Sequence, residues 1–363
     1  MSRIPPPFAN SYVEARKLFL AAAAAVGADI ETHRHPLPGP DGAPLFTDIA
    51  WLGPADARRV MLTCSGTHGV EGYCGSGCQV AWLGSAAPKS LPRGTAAVLV
   101  HAINPFGFAW DRRVNEDNVD INRNFVDHAK PPENALWPEI ADVLTPEVWD
   151  DGARKVMGVA INLFIERHDQ RAYIAAASSG QFSHPDGIFY GGAAPVWSNR
   201  VMDGFTRRRL GHVKRLAVID FHTGLGPRGY GELICRHPTD SESLARARRW
   251  YGNGVTSPAA GESGSPVIDG NLRMAFVGWL PEAEVTSVAI EYGTYPEDKV
   301  FNALVADNWL HLHGDMTTRK GRAIKADIRE MFYPDADDWR EAVLERAAQV
   351  QARAVEGLTT PDA

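Results

Sequence analysis

The sequence predicts an α/β fold in which helices flank a largely parallel sheet. Four short, largely apolar runs, at 57–63, 95–101, 215–220 and 286–291, are typical of strands buried on both faces. Helical patterns alternate with these runs, which favours a sheet covered by helices. Polar residues follow each run, so the sequence also predicts a site beyond the carboxyl ends of the strands, where open α/β sheets bind their ligands.

Composition and length fit one globular enzyme-sized domain. Hydrophobic residues make up 44% and charged residues 22% of the 363 residues, which is ordinary for a soluble globular protein. The length allows one large domain or two smaller ones, and the lack of an internal repeat or low-complexity linker favours a single domain over 1–363. The net charge of −7 argues against nucleic acid or an anionic membrane as the main partner.

The apolar runs and the cysteines predict a cytoplasmic location. No apolar run approaches the roughly 20 residues needed to span a bilayer, so we expect no membrane partner. The alanine-rich run at 18–26 follows charged residues in an amphipathic pattern and favours a helix of the folded protein over a signal peptide. The four cysteines contain no second pair at zinc-finger spacing, and we expect buried thiols.

A long insertion, residues 127–215, separates the second predicted strand from the third. Within it, 137–144 and 147–168 have the pattern of helices. A segment of this length could form a wall or a lid over the site. At the end of the chain, 339–355 has apolar residues at helical spacing and predicts a docked terminal helix.

The first chemical signal joins two strand ends that are far apart in the sequence. His68 and Glu71 lie three residues apart at a strand-to-helix turn, where both side chains could reach one metal ion. Such a pair is common by chance, and the alternative is a surface histidine near a helix-capping glutamate. His222, after the third strand, would complete a three-ligand zinc site with a fourth position open to water. Asp220 could orient His222 through its other ring nitrogen, or cap a neighbouring helix instead.

The second signal is a run dense in asparagine and arginine, 104–125. An arginine guanidinium is a fixed fork for a carboxylate or for a developing oxyanion. An ordinary polar turn is the alternative, although it does not require such a dense set. Glu291, at the end of the fourth strand, could act as a general base, and its alternative is a surface ion pair.

Taken together, these pieces resemble the zinc carboxypeptidase superfamily, whose fold is shared by succinylglutamate desuccinylase and aspartoacylase. The matching pieces span about 60–295: His68-x-x-Glu71, Asn104-Pro-x-Gly107, Arg113-x-Asn115, Asp120-x-Asn-Arg-Asn-Phe125, Asp220-x-His222 and Glu291. The resemblance implies a single-domain α/β fold with a mixed, largely parallel twisted sheet flanked by helices.

The resemblance also implies the metal and the proton carrier. Carried over to this sequence, it makes His68, Glu71 and His222 the ligands of one Zn²⁺ per chain. Glu291 would act first as general base and then as general acid.

The remaining implied roles concern charge on the substrate. By the resemblance, Arg113 would stabilise the oxyanion, and Asn122 with Arg123 would bind a substrate carboxylate. Arg112 is a further candidate for substrate binding and an alternative to Arg113, because the match could slip by one residue.

The leading hypothesis is a zinc-dependent hydrolase that cleaves an amide bond in a small carboxylate-bearing substrate. That substrate would be a short peptide, for a carboxypeptidase, or an N-acyl amino acid, for a deacylase. One alternative is a non-catalytic protein that binds zinc or a carboxylate on the same fold. The other is a zinc esterase, which would use every one of the same catalytic residues. The sequence gives no indication of the oligomeric state.

Overall fold

The structure is a computed structural model and describes residues 7–360. Within those residues, eight strands form one sheet in the order β1-β2-β4-β3-β5-β8-β6-β7. The strands are β1 (Asp29–Pro38), β2 (Pro44–Leu52), β3 (Arg59–Cys64), β4 (Thr95–His101), β5 (Arg215–Arg228), β6 (Gly231–Ile234), β7 (Val255–Thr256) and β8 (Glu284–Gly293).

The four predicted strands are the four neighbours at the centre of the sheet. Each adjacent pair among them is parallel: β4 with β3, β3 with β5, and β5 with β8. β2 pairs with β4, and β6 with β8, in the antiparallel sense, so the sheet is mixed. The predicted α/β fold with a mixed, largely parallel sheet is therefore confirmed. β5 continues past the predicted end at 220 and reaches Arg228.

Helices flank the sheet on both faces. They are α1 (Tyr12–Ala25), α2 (Gly72–Gly84), α3 (Pro105–Ala109), α4 (Ala141–Leu144), α5 (Asp151–His168), α6 (Gln170–Ser178), α7 (Trp197–Phe205), α8 (Glu242–Tyr251), α9 (Leu272–Trp279), α10 (Glu297–His313), α11 (Arg319–Phe332) and α12 (Asp337–Thr359).

Alternate residues of β3 show why the central strands are apolar throughout. Met61 packs in a cluster with residues of α1, α2 and α12, whereas Val60 and Leu62 pack in another cluster with residues of α7 and α9. Because both faces are covered, successive side chains are all buried and the strand has no polar face.

The segment 127–215 differs from its predicted helices in detail. In place of one helix at 137–144, the chain forms a 3-10 turn, Trp137–Glu139, and then the short α4. The helix predicted from 147 begins only at Asp151, because the Asp150 side chain accepts a hydrogen bond from the Ala153 amide and caps the helix there. Residues of α5 and α6 pack with α10 and α11 in a third cluster.

The terminal helix docks against the end of a central strand. α12 contains the predicted 339–355, and Trp339 is fully buried with its Nε1 donating to the Gly293 carbonyl at 2.9 Å. All four cysteines are buried and free. Among residues 7–360, no helix has both the length and the apolar composition that crossing a bilayer would require.

Candidate metal centre and active site

The turn after β3 places His68 and Glu71 at the carboxyl end of the sheet. His68 has extended backbone and precedes the 3-10 turn Gly69–Glu71, which leads directly into α2. The amide of Gly69 donates to the Arg113 carbonyl at 3.0 Å, so the two polar runs are held together by the main chain. A Cβ on Gly69 would lie 2.0 Å from the carbonyl carbon of Gly107, so only glycine allows this approach.

The three predicted metal ligands meet around one point. His68 Nδ1 lies 2.8 Å from one Glu71 carboxylate oxygen, and His222 Nδ1 lies 2.8 Å from the other. One donor atom from each of the three residues lies within 4.8 Å of the others. All three side chains are buried. The structure thus brings His222 into contact with Glu71, although the two residues are 151 positions apart in the sequence.

The second nitrogen of each imidazole is held by a buried carboxylate. His68 Nε2 lies 3.2 Å from Asp120 Oδ1, and His222 Nε2 lies 2.8 Å from Asp220 Oδ2. Thr67 Oγ1 donates to the other oxygen of Asp220 at 2.8 Å. Such carboxylates fix the ring orientation and leave both Nδ1 atoms directed at the shared point. The contact between Asp220 and His222 agrees with the sequence spacing, whereas no role had been predicted for Asp120.

Burial and neighbouring charges shift the pKa values of the ionisable groups in this cluster. Burial by itself would raise the pKa of Glu71, but His68 and His222 beside it hold that pKa far below the usual range. Burial would lower the pKa of His222, yet Asp220 and Glu71 raise it to about 10. Burial also opposes ionisation of Asp120, and the nearby Arg113 and other cationic neighbours more than offset it, so its pKa is well below normal.

This donor set fits a divalent metal ion. Two imidazole nitrogens and one carboxylate are a usual ligand set for catalytic zinc, which keeps one further position open. Each histidine also has the outer carboxylate partner that metal-binding histidines commonly use. His68, Glu71 and His222 therefore form a group that could bind a metal.

Arg113 lies against this group, and Arg112 does not. The Arg113 guanidinium donates to Asp120 Oδ2 at 3.0 Å and to Glu71 Oε1 at 3.2 Å, and its Nη2 is 2.9 Å from His68 Nε2. Arg112 is buried and donates instead to Asp307 Oδ2 at 3.3 Å. Neighbouring positions in the loop thus direct their side chains to different parts of the protein, and the structure gives Arg112 an ion pair away from the metal ligands.

Asn122 and Arg123 both border the same cavity as the metal ligands. The Asn122 side-chain oxygen accepts from the Leu272 amide at 3.0 Å, and its Nδ2 lies 3.4 Å from His222 Nε2. Arg123 donates to main-chain carbonyls of 178–179 and of Asn122, at 2.7 to 3.1 Å. Burial lowers the pKa of Arg123 to about 10. These contacts fix the guanidinium in place and use three of its five N–H groups.

Glu291 stands in register with a metal ligand. In the parallel pairing of β5 and β8, Glu291 is the partner of His222. One oxygen of the Glu291 carboxyl accepts from the Leu225 amide at 3.3 Å. Burial, with the Glu71 carboxylate nearby, raises the pKa of Glu291 to about 8. A carboxyl group with such a pKa can exchange protons near neutral pH.

One cavity of about 620 Å³ brings most of these groups together. Its lining includes seven of the eight residues predicted for the site: His68, Glu71, Arg113, Asn122, Arg123, His222 and Glu291. The segment 127–215 contributes further lining from α5 and α6, including Met157, Ile161 and Tyr173. Arg236 and Arg273 also border the cavity, and no spacing in the sequence pointed to either of them.

The fold has counterparts among solved structures. Thrombin-activatable fibrinolysis inhibitor has a similar structure, with a TM-score of 0.50 and 13% identity over 96% of this chain and 74% of that one. The bovine form in complex with tick carboxypeptidase inhibitor has a TM-score of 0.46 and 13% identity, over 96% and 97% of the two chains. The likeness to thrombin-activatable fibrinolysis inhibitor shows the fold alone, a carboxypeptidase-like α/β fold, as the resemblance implied.

The family is shown by the sequence itself. Residues 8–346 match the family described as "Protein of unknown function (DUF2817)", and the chain belongs to that family. No curated protein matches the sequence. Murein-tripeptide amidase from Escherichia coli O157 is a further structural likeness, with a TM-score of 0.35 and 19% identity over 83% of this chain and 95% of that one.

Proposed function

We propose that this protein is a zinc-dependent hydrolase that cleaves an amide bond in a small carboxylate-bearing substrate. The substrate is a short peptide or an N-acyl amino acid. The observation that carries the proposal is the shared cavity, in which a three-donor metal group lies beside Glu291 and Arg113. A protein that only bound a metal would need neither a proton carrier nor an oxyanion donor next to it.

Zinc would be held by the Nδ1 atoms of His68 and His222 and by the Glu71 carboxylate. When bound, zinc lowers the pKa of a coordinated water to about 7 and polarises the carbonyl to be cleaved. In the zinc-bound form, Asp120 and Asp220 would accept hydrogen bonds from the outer nitrogens and so leave the Nδ1 lone pair of each histidine free for the metal.

Glu291 moves the proton. As the water oxygen bonds to the acyl carbon, the Glu291 carboxylate takes a proton from that water. As the C–N bond breaks, Glu291 returns the proton to the leaving nitrogen, so that an acid and an amine are formed. Its burial and its pKa near 8 in the free chain suit a group that both accepts and donates at neutral pH.

Arginine side chains handle the negative charges. Arg113 is partly buried, with 14% of its side chain exposed, and its guanidinium already lies against the ligand group. It would stabilise the oxyanion that develops on the carbonyl oxygen. Arg123 retains two N–H groups beyond those bound to the main chain and, with Asn122, would bind the substrate carboxylate.

Metal analysis and turnover test this proposal together. Elemental analysis of the purified wild type should give about one zinc per chain, the number expected for one three-ligand site, and His222→Ala should lose it. The zinc-loaded wild type should hydrolyse members of a panel of N-acyl amino acids and short peptides. A wild type that binds no zinc even when zinc is added would contradict the proposal.

Two other functions remain as outcomes of the same measurements. Zinc binding without turnover of any substrate would favour a non-catalytic binding protein. A panel of matched amides and esters separates the esterase, because both reactions would use Glu291 and Arg113 in the same way. Faster cleavage of esters alone, with no amide turnover, would favour the esterase.

A further inference from the structure

Two arginines that border the cavity have no carboxylate partner among residues 7–360. Arg236 is partly buried, and Arg273 is 1% exposed. Within residues 7–360, neither forms an ion pair, and the Nε atom of each is buried without a hydrogen-bond acceptor. Both side chains line the same cavity as the metal ligands.

Two other arginines near the site each have a carboxylate partner. Arg112 has Asp307 at 3.3 Å, and Arg113 has Asp120 at 3.0 Å. A buried cation without an anion is costly, because the protein interior replaces little of its lost hydration. Glu291 and Glu232 lie close enough to influence the charge of Arg236, but neither forms an ion pair with it. Arg236 is therefore available to pair with an anion from outside the chain.

The Arg236 guanidinium is held in a fixed orientation by the loop 265–270, which precedes α9. Its Nη1 donates to the Pro266 carbonyl and its Nη2 to Ser265 Oγ, each at 2.7 Å. Each of these terminal nitrogens carries a second N–H. A fixed guanidinium with N–H groups to spare can bind the oxygens of a carboxylate.

The same loop connects Arg236 to the residue proposed to bind the first carboxylate. Gly270 accepts a hydrogen bond from the Phe125 amide at 3.0 Å, and a Cβ on Gly270 would lie 2.3 Å from the Arg123 carbonyl oxygen. Arg273 follows this loop and donates to the Ile234 carbonyl at 2.9 Å. Burial first, and then the positive charges of Arg273 and Arg123, hold the pKa of Arg236 well below normal.

We infer that Arg236, with Arg273 beside it, binds a second carboxylate of the substrate. The preferred substrate is then a peptide or an N-acyl compound that contains an acidic amino acid, with one carboxylate at Arg123 and the other at Arg236. The inference rests on the proposed function in assigning the first carboxylate to Asn122 and Arg123. It makes Arg236 a specificity-determining residue.

The test compares N-benzoyl-glutamate with N-benzoyl-glutamine, which has nearly the same shape without the second charge. For the zinc-loaded wild type, we expect kcat/KM to be about 10- to 100-fold higher for the glutamate compound, the value of one charged hydrogen-bonded contact. Arg236→Gln should bring the ratio close to one, mainly through a higher KM for the glutamate compound. Arg236→Lys should retain part of the preference, because it keeps the charge but not the fork.

Arg248→Gln is the matched control. Arg248 is an exposed arginine paired with Glu262 at 2.7 Å, near the loop that binds Arg236. This variant should keep the wild-type ratio. Zinc content and a thermal melt of Arg236→Gln show whether it is folded, and if it is not, Arg236→Lys provides the comparison.

A second measurement separates this inference from the proposed hydrolase. Calorimetry on the purified wild type and on Arg236→Lys compares binding of glutarate with binding of its monoamide. If no amide is hydrolysed, the proposed function fails, and an Arg236-dependent preference for glutarate still supports the second-carboxylate site. Equal kcat/KM values for both benzoyl compounds, or equal or absent binding of both small acids, would overturn it.

Discussion

His222 and Glu291 are paired residues in neighbouring parallel strands, β5 and β8. Paired residues of adjacent strands project their side chains to the same side of the sheet. The candidate ligand and the candidate base therefore reach the cavity from adjacent strand ends. Glu71 enters from the turn after β3, which pairs with β5 on its other edge. Three adjacent central strands thus place the metal ligands and the proton carrier at one edge of the sheet.

Removal of the proton carrier should separate metal binding from chemistry. Glu291→Gln keeps the size of the side chain but cannot take a proton, so we expect unchanged zinc content and a loss of about 100- to 10,000-fold in kcat. The control is Glu284→Gln, at the start of the same strand, where Glu284 pairs with Arg215 at 2.9 Å at the surface. Full activity in Glu291→Gln would remove this residue from the mechanism.

The two adjacent arginines should give different results. Arg113→Met should lower kcat/KM about 100- to 1,000-fold with little loss of zinc, because an oxyanion donor is removed. Arg112→Met should instead lower the free energy of unfolding by about 1–3 kcal/mol, because a hydrogen-bonded charge is lost next to Asp307. Lys325 also pairs with Asp307 and limits that cost. Steady-state kinetics and urea unfolding of both variants check the assignment. If Arg112→Met lost activity and Arg113→Met lost only stability, Arg112 would be the oxyanion donor.

The outer carboxylate of a ligand histidine should tune the affinity for metal. Asp220→Asn removes the charge that orients His222, and we expect zinc to bind about 10- to 100-fold more weakly. Competition with a chromophoric chelator measures the change. Asp203→Asn, at an exposed ion pair with Arg207, should leave the affinity unchanged. An equal effect in both variants would mean that Asp220 acts only through general stability.

Zinc binding should release a proton near neutral pH. In the metal-free chain, burial by itself would lower the pKa of His222. The carboxylates of Asp220 and Glu71 outweigh that effect and raise the pKa to about 10. A metal requires the unprotonated imidazole, so the apparent affinity should rise with pH, by up to about tenfold per pH unit below pH 10. Calorimetry in two buffers of different ionisation enthalpy should show about one proton released. Zinc binding with no proton release at pH 7 would contradict this charge state.

The same raised pKa should affect the stability of the metal-free protein. Because the folded form binds the His222 proton more tightly than the unfolded chain does, this contribution is complete below about pH 6.5 and is lost as pH rises towards 10. Thermal melts of chelated wild type should therefore show a falling Tm over that range. In Asp220→Asn the fall should be smaller, and an identical pH profile would count against the ion pair.

The turn that carries the metal ligands should not tolerate a methyl group. Gly69→Ala would place Cβ 2.0 Å from the Gly107 carbonyl carbon and 2.3 Å from the Phe108 amide nitrogen. Both are main-chain atoms, which can move aside only if the loop itself is distorted. We expect a loss of about 3 kcal/mol in the free energy of unfolding, together with weaker zinc binding. The control is Gly278→Ala in α9, where a Cβ meets open space and should stabilise the helix by up to about 1 kcal/mol. Wild-type stability in Gly69→Ala would show that the turn has room.

The sequence predicts those parts of the fold in which consecutive residues are all buried. The central strands were predictable because both of their faces are buried and their composition is apolar throughout. The strand β1 was missed, since it lies at the sheet edge with mostly exposed residues. β2 was missed as well, because Thr47 and Asp48 interrupt its apolar run. β6 and β7 were missed because they are short. The start of α5 was misplaced because its cap, Asp150, is a local signal that the apolar pattern does not contain.

The sequence alone determined which residue types could bind a metal and where along the chain each strand ends. Spacing and resemblance were enough to name His68, Glu71 and His222. Only the tertiary structure distinguished Arg113 from Arg112, because the direction of each side chain depends on the carboxylate with which it pairs. Arg113 pairs with Asp120, and Arg112 pairs with Asp307. It alone also revealed the unpaired Arg236, since the absence of a counter-charge is a property of contacts between distant segments and leaves no pattern in the order of residues.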